Sequence, residues 1–304
     1  MIAQLAKIPG FSFLAPLTTV LGAASPVVGS AIGVAIAFGL KAHGLVAFSC
    51  AGAGAIGYMA GGPVGAFIAA IVGAELGQLV SKKTPVDIVI TPLVVLIAGG
   101  LAGNFVGPSV SAAMTWLGNV INTAAYFSRV PMGLAVGAVV GMVLTSPISS
   151  AALCISLSLG GLAAGAATAG CAAQMIGFAV ISFRDNGVSG LISQGLGTAK
   201  LQLPNVMRRP QIWIAPTIAS AACGALSAVF GMENIAAGAG MGTSGLVGQI
   251  TMYGVMAPQW GSVKIVALMV LVHVIAPALV ALAVDMLLRR IGWVKSGDMK
   301  LRDM

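Results

Sequence analysis

Long apolar runs, separated by short gaps that carry charge, fill almost the whole chain. Of the 304 residues, 58% are hydrophobic and only 7% are charged, whereas a soluble domain carries roughly 25% charged residues. The runs are long enough for helices of roughly 20 residues, and the alternating short strands of an outer-membrane barrel are missing. The sequence therefore predicts an all-α polytopic membrane protein with about 8–10 transmembrane segments, in a single domain over residues 1–304. Gly and Pro divide the apolar runs, so that residues 44–60 and 62–80, and residues 86–106 and 109–127, are predicted as separate segments.

Positive charge lies in the gaps between the apolar runs and not in a basic patch with interleaved aromatic residues. The net charge is +8, yet this distribution indicates cytoplasmic loops under the positive-inside rule, and we expect no nucleic-acid partner. The residues that the rule assigns to the cytoplasm are Arg129, Arg184, residues 200–209, Arg289 and Arg290. Residues 130–145 and 212–230 must then run outward, and residues 171–183 and 263–288 must run inward.

Each outward segment is joined to the next inward segment by a piece rich in Gly, Ala, Ser and Thr. Because both ends of such a piece would lie outside, we expect two re-entrant hairpins, whose irregular backbone is tolerated where it lines a cavity. The pieces share Ala-Ala-Gly-Ala followed by Gly-x-x-x-Gln, at residues 163–174 and 236–249. Interrupted segments at matching places in two halves are typical of a transporter binding site, although Gly/Ala-rich sequences also match each other by chance.

The second piece, FGMENIAAGAGMGTSGLVGQ at residues 230–249, contains the strongest candidate site. Its glycines fit the GxGxxG spacing, but no βαβ pattern surrounds them, so we exclude dinucleotide binding. Glu233 is an ionisable group in an apolar region and is therefore a functional candidate; alternatively, it lies at a helix end in the hydrated outer interface. One carboxylate among neutral donors and acceptors suits a hydroxylated neutral solute. The neighbours that would complete the site are Asn234, Thr243, Ser244 and Gln249.

The first piece offers a second set of polar side chains for the same solute site. These residues are Thr168, Gln174, Ser149 and Ser150. The alternative interpretation is hydrogen bonding between helices, typically worth under about 1 kcal/mol for each bond. Small residues at four-residue spacing, as at Gly133, Gly137 and Gly141, indicate close helix packing in lipid.

No pattern in the chain supports enzymatic chemistry, a cofactor or a metal site. The four cysteines stand alone in apolar surroundings, which is typical of buried small hydrophobic residues and not of disulfides. His43 and His273 have no thiol or carboxylate at ligand spacing. Prolines interrupt the apolar part of residues 1–26, which favours a broken first membrane segment over a signal peptide.

Several longer motifs resemble a known family. They are GGPVGAFIAAIVGAELGQLVS (residues 61–81), VDIVITPLVV (86–95), LTSPISSAA (144–152), AAGAATAGCAAQMIGFAVISFRDNG (163–187), QGLGTAKLQLPN (194–205) and MENIAAGAGMGTSGLVGQI (232–250). Over residues 26–260 the chain resembles the smaller, divergent branch of the phosphotransferase-system IIC (EIIC) membrane proteins. That branch includes proteins described as toxin-gene regulators.

The resemblance implies a multi-pass bacterial inner-membrane protein that forms a homodimer, with an IIC-like transporter fold and two re-entrant hairpins around a solute site. In the family a glutamate in a hairpin motif binds sugar hydroxyls, and Glu233 in Met-Glu-Asn matches that position. The family also uses a histidine, but neither His43 nor His273 lies near a comparable motif, which is a departure from the pattern. Phosphotransfer takes place on IIA and IIB domains, and we expect these to be separate partner proteins.

Three functions are compatible with these residues. The one we expect is a IIC-type permease, without enzymatic activity of its own, that moves a sugar or other small polar solute by alternating access. In an elevator-like cycle, a hairpin-bearing core would move against a dimerising scaffold embedded in membrane lipid. The second is a membrane solute sensor that signals without useful transport. The third is an ion-coupled transporter or channel for an organic anion, which would use helix-end dipoles and Glu233.

Overall fold

Helices dominate the computed structural model, which describes residues 6, 10–20, 22 and 25–301. An antiparallel bridge between Gly161 and Asn234 is the only β-pairing among these described residues. The helices fall into two compact units, Met1–Leu117 and Gly118–Met304. The predicted broken first segment lies partly outside the described residues.

Unit 1 (Met1–Leu117) holds a helix that folds back on itself. Its helices are α1 (Ala15–Val20), α2 (Pro26–Gly39), α3 (Gly44–Val80) and the first part of α4 (Asp87–Phe127). The α3 helix is interrupted at Gly61 and Gly62, and Gly62 adopts a φ of 59°, a conformation that glycine reaches at low cost. The halves then pack together so closely that a Cβ on Gly57 would lie 2.4 Å from the carbonyl oxygen of Gly65. The predicted division of this region into two segments is therefore confirmed.

Unit 2 (Gly118–Met304) begins within α4 and contains the remaining helices. They are α5 (Arg129–Thr145), α6 (Ser150–Ser156), α7 (Gly161–Ile181), α8 (Phe183–Ile192), α9 (Leu203–Arg208), α10 (Ile214–Val229), α11 (Ala236–Ala239), α12 (Val247–Trp260), α13 (Ser262–Val270) and α14 (Ala276–Arg290). Single π-helical turns follow α8 (Ser193–Gly197) and separate α13 from α14 (Leu271–Ile275). The predicted break in α4 near residues 106–109 is wrong, because α4 continues through Pro108, which membrane helices tolerate.

Five helical stretches are long and apolar enough to cross a membrane. They are Gly44–Val80, Asp87–Phe127, Gly161–Ile181, Pro210–Val229 and Ser262–Arg290. The shorter helices α2 and α5 are also apolar. With the two halves of α3 counted separately, the described residues contain eight apolar helical segments. The protein is therefore an all-α polytopic membrane protein, as its composition predicts.

Helix α7 forms the core of unit 2, and every residue from 162 to 175 is buried. Its small side chains let α5, α10 and α14 approach on different sides; a Cβ on Gly177, for example, would contact both Pro216 and Ala281. The prediction that residues 162–174 belong to a hairpin, with a new segment starting at residue 171, is wrong. A Gly/Ala run without proline forms an uninterrupted helix here, because neighbouring helices cover it on several sides.

Close contacts between small residues define the directions of the helices in unit 2. Gly137 of α5 contacts Gly170 of α7, and the Thr145 hydroxyl reaches the Gln174 amide, so α5 and α7 run in the same direction. Helix α10 runs antiparallel to both. The prediction that α5 crosses in the opposite direction to α7 is therefore wrong, and Arg129 lies at the end of unit 2 where α7 begins.

The two ends of unit 2 differ in charge. We call the end where α7 begins the Glu233 end, because the Asn234 N–H bonds to the Gly161 carbonyl there. We call the other the Arg289 end, because an Arg289 guanidinium N–H donates to the Ile181 carbonyl (3.3 Å). Eight of the ten lysines and arginines in residues 118–301 belong to the Arg289 end. They are Arg184, Lys200, Arg208, Arg209, Arg289, Arg290, Lys295 and Lys300. The positive-inside rule therefore predicts that the Arg289 end faces the cytoplasm.

Two stretches of unit 2 leave the Glu233 end, turn inside the unit and return to it. The first hairpin (residues 129–160) runs along α5 and returns through α6 to the start of α7. The second hairpin (residues 231–260) runs to a tip at Thr243 and returns in α12, whose Trp260 ring lies beside Gly231. That these hairpins are re-entrant in a bilayer stays a prediction.

Candidate functional site

The loop between α10 and α11 holds Glu233 over the start of α7. Its backbone is fixed by the bridge from Asn234 to Gly161, at 3.2 Å between nitrogen and oxygen. The Tyr126 hydroxyl, from the end of α4, donates to Glu233 Oε1 at 3.3 Å. Gly161 has a φ of 54°, and a Cβ there would lie 2.3 Å from the Tyr126 oxygen, so this close approach requires glycine.

Glu233 is partly exposed and its carboxylate is only partly engaged. Among the described residues, its second carboxylate oxygen has no hydrogen-bond partner. A carboxylate with a free oxygen can accept hydrogen bonds from a solute, and such charge-assisted bonds are the strong ones. Its position at the Glu233 end also fits the alternative from the sequence, a hydrated carboxylate at a helix end. No sequence motif points to Tyr126, because its contact with Glu233 joins residues 107 positions apart.

Asn234 is a structural neighbour of Glu233 and is only 2% exposed. Its Nδ2 donates to Thr168 Oγ1 of α7 at 2.8 Å and to the Gly248 carbonyl of α12 at 3.0 Å. Its Oδ1 accepts from the Ile235 N–H at 2.9 Å. The side chain therefore ties both arms of the second hairpin to α7.

Replacement of Asn234 by alanine is expected to destabilise the protein by about 1–2 kcal/mol, since two buried hydrogen bonds to α7 and α12 are lost. Thermal unfolding of purified protein in detergent measures this loss. Asn104→Ala, an exposed asparagine of α4, is the matched control and should unfold like the wild type. Equal unfolding temperatures for the two variants would contradict the assigned role of Asn234.

The tip of the second hairpin is a close-packed glycine turn. Gly242 has a φ of 54°, and a Cβ there would lie 2.7 Å from the Cys171 carbonyl carbon of α7. The Ser150 hydroxyl of α6 donates to the Gly240 carbonyl at 2.7 Å, which joins the two hairpins. Thr243 is buried and donates to the Gly195 carbonyl at 2.5 Å. The GxGxxG spacing therefore serves a tight turn against α7.

Gln249 lies beside a histidine that is not among the predicted site residues. Gln249 Nε2 and His273 Nδ1 are 3.1 Å apart, and His273 is fully buried in the π-helical turn Leu271–Ile275. Gln249 Oε1 and His273 Nε2 are buried without a partner among the described residues. In either orientation of the amide, the pair offers one spare donor and one spare acceptor, which matches a hydroxyl group or a water molecule. The sequence signal for His273 is that it is a single histidine in an apolar, charge-poor segment.

Gln174 lies outside this group and belongs to helix packing. With its amide oriented to satisfy both ends, Oε1 accepts from Trp213 Nε1 at 2.7 Å and from Thr145 Oγ1 at 3.0 Å. Nε2 then donates to Ser220 Oγ at 2.9 Å and to the Pro216 carbonyl at 3.2 Å. All of these partners lie between α7, α5 and the α10 region, so the interhelical interpretation accounts for this side chain.

Two of the predicted serines are placed at the edges of the hairpins. Ser149 is exposed and caps α6, with its hydroxyl accepting from the Ala152 N–H at 3.3 Å. Ser244 is partly exposed beside the tip, and its hydroxyl makes no hydrogen bond within the described part of the chain. The structure therefore brings Glu233, Asn234 and Thr168 together at one level of the second hairpin, with Thr243 and Ser244 at its tip.

The chain matches a family model described as "Phosphotransferase system, EIIC", which covers residues 2–301. No curated protein and no solved structure matches the chain. The family match spans both units and includes every residue of the candidate site.

Proposed function

The chain belongs to the phosphotransferase-system EIIC family, and on that premise we propose that it is a permease for a sugar or another small hydroxylated solute, working by alternating access. It is a multi-pass protein of the bacterial inner membrane and a membrane component of phosphotransferase-type transport. Unit 2 contains both hairpins and is the candidate for the transport core. Unit 1 is the candidate for the scaffold of the homodimer that the family resemblance implies.

The free carboxylate oxygen of Glu233, held beside the Tyr126 hydroxyl at the start of α7, carries the proposal. A carboxylate accepts hydrogen bonds from sugar hydroxyls, and a phenol both donates and accepts. A solute that reaches this carboxylate from outside would next contact the second hairpin, which offers neutral hydroxyl and amide groups. This set favours a neutral hydroxylated solute over an organic anion, which a carboxylate repels.

The pairing of Gln249 with His273 supports the same solute class. The pair's spare donor and spare acceptor fit a hydroxyl and fit neither a simple cation nor a simple anion. The resemblance implies a histidine in the family's sugar site, and His273 reaches Gln249 across 24 positions of sequence. We assign His273 to the solute path on this basis.

We propose that separate IIA and IIB proteins couple transport to phosphorylation of the solute, as the family implies. The Arg289 end is their expected side, because the positive-inside rule assigns it to the cytoplasm. The sensor function and the organic-anion function are the competing outcomes of the experiments.

The solute class is tested by a thermal-shift screen of purified protein against sugars, polyols and organic acids. A bound ligand stabilises the native state, by about 2.7 kcal/mol at a concentration one hundred times its Kd. We expect sugars or polyols to raise the unfolding temperature and organic acids to leave it unchanged. Stabilisation by organic acids alone would contradict the proposal.

A further inference from the structure

The segment Ser193–Lys200 lies against the tips of both hairpins. Its Gly195 carbonyl accepts from the Thr243 hydroxyl at 2.5 Å, and Thr243 is the tip of the second hairpin. A Cβ on Gly195 would make ordinary contacts with Ala179 and Ile176 of α7, so the segment runs beside the last turns of that helix. The tip of the second hairpin is thus bonded to a segment from the Arg289 end.

Lys200 makes the corresponding contact with the first hairpin. Its Nζ donates to the Ser146 carbonyl at 2.5 Å and to the Ile148 carbonyl at 2.7 Å, directly after α5 ends. A cation at the carboxyl end of a helix is stabilised by the unpaired carbonyls and the helix dipole. Burial lowers the pKa of the Lys200 ammonium, so the two carbonyls offset the partial loss of water around the charge.

The opposite side of the segment is anchored by buried amides. Gln194 Nε2 donates to Ser182 Oγ at 2.9 Å and to the Gly190 carbonyl at 3.0 Å. Gln202 Nε2 donates to Gln194 Oε1 and to the Met299 carbonyl, each at 2.9 Å. The segment therefore has a fixed attachment to α7, α8 and the chain's last described residues. The segment is bonded to the hairpin tips through the side chains of Thr243 and Lys200.

We propose that Thr243 and Lys200 form a cytoplasmic latch, in which the segment Ser193–Lys200 holds both hairpin tips and closes the solute path at the Arg289 end. The role of the latch in closing the solute path rests on the proposed permease function. The existence of the latch rests on the contacts of Thr243 and Lys200 alone. The two tips are coupled, because the Ser150 hydroxyl of the first hairpin is bonded to the Gly240 carbonyl of the second. Thr243 and Lys200 are positioning residues in this account, since they act through the hairpins.

Hydrogen–deuterium exchange tests the latch without any solute. Thr243→Val removes the hydroxyl, and Lys200→Gln removes the charge and shortens the side chain. We expect amide exchange at residues 240–246 and 146–150 to be roughly fivefold faster in either variant, while residues 162–175 exchange as in the wild type. A merely structural role would accelerate exchange throughout unit 2.

Matched controls make the same substitutions elsewhere. Within the described residues, the Thr251 hydroxyl bonds to carbonyls of its own helix, at Val247 and Gly248, so Thr251→Val should leave the tips unchanged. Lys295→Gln changes an exposed lysine at the same end and should also leave them unchanged. Unaltered exchange at the tips in both Thr243→Val and Lys200→Gln would overturn the latch.

Uptake of the solute into proteoliposomes separates the latch from the permease function. Absence of uptake by the wild type would contradict the permease function, while the exchange result would still decide the latch.

Discussion

Replacing Gly170 by alanine is expected to lower the stability of the protein by about 2–3 kcal/mol, or to prevent folding. A Cβ at this position would lie 2.2 Å from the Gly137 carbonyl oxygen and 2.6 Å from the Gly137 Cα. Both are backbone atoms of α5, so no side chain can rotate away and the two helices must separate. In lipid, packing between helices supplies much of their association, so this separation affects the core of unit 2.

Thermal unfolding in detergent measures the effect, and Gly254→Ala is its control. Gly254 is an exposed glycine of α12, and a Cβ there would have no neighbour within 4 Å. Alanine at that position should be neutral or should stabilise the helix by about 0.5–1 kcal/mol. Similar unfolding temperatures for the two variants would contradict the close parallel packing of α5 and α7.

Glu233→Gln is expected to weaken binding of the transported solute at least tenfold. A hydrogen bond to a charged group contributes about 1.5–3 kcal/mol, and the neutral amide replaces one acceptor oxygen by a donor. Tyr126→Phe should cause a smaller loss, since it removes the hydroxyl that holds Glu233 Oε1 and leaves the carboxylate in place. Equilibrium binding of the best solute from the thermal-shift screen gives the affinities.

The matched control for this prediction is Glu75→Gln, the same substitution at an exposed glutamate of α3. It should bind the solute as the wild type does. An unchanged affinity in Glu233→Gln, or an equal loss in Glu75→Gln, would exclude the Glu233 carboxylate from the site.

Local rules predict those parts of the fold that depend on nearby residues. The scarcity of charge identifies a polytopic helical protein, and the double glycine before Pro63 correctly predicts the interruption of α3. The four-residue spacing of Gly133 and Gly137 correctly predicts close packing, since both contact the backbone of Gly224 on α10. These features need no knowledge of distant partners.

The direction of α5 depends on such partners and was predicted wrongly. The positive-inside rule is a statistical bias over many loops, and Arg129 is one residue at a helix start. Packing of α5 beside α7 outweighs that single charge. The residues at 163–174 and 236–249 also share a pattern but not a structure, because a Gly/Ala run forms a helix or a turn according to what surrounds it.

The candidate site likewise contains residues that the sequence identifies and residues that only the structure reveals. Glu233, Asn234 and Thr243 are identifiable from the sequence as polar residues in an apolar stretch, and Asn234 is hydrogen-bonded to Thr168 of the other polar set. Gln174 is also a polar residue in an apolar stretch, yet its four hydrogen-bond partners belong to the packing between helices. Tyr126 joins the candidate site through its contact with Glu233, 107 positions away, and His273 through its contact with Gln249, 24 positions away. Residue spacing does not encode such contacts.

Uptake of the solute from the thermal-shift screen into proteoliposomes tests the central claim most directly. Wild-type protein and Glu233→Gln would be compared with empty liposomes, with and without the phosphotransfer proteins IIA and IIB. The account predicts uptake by the wild type, faster when phosphotransfer is supplied, and uptake near the background level for Glu233→Gln. Binding of the solute without uptake under either condition would contradict the permease function and favour a membrane sensor.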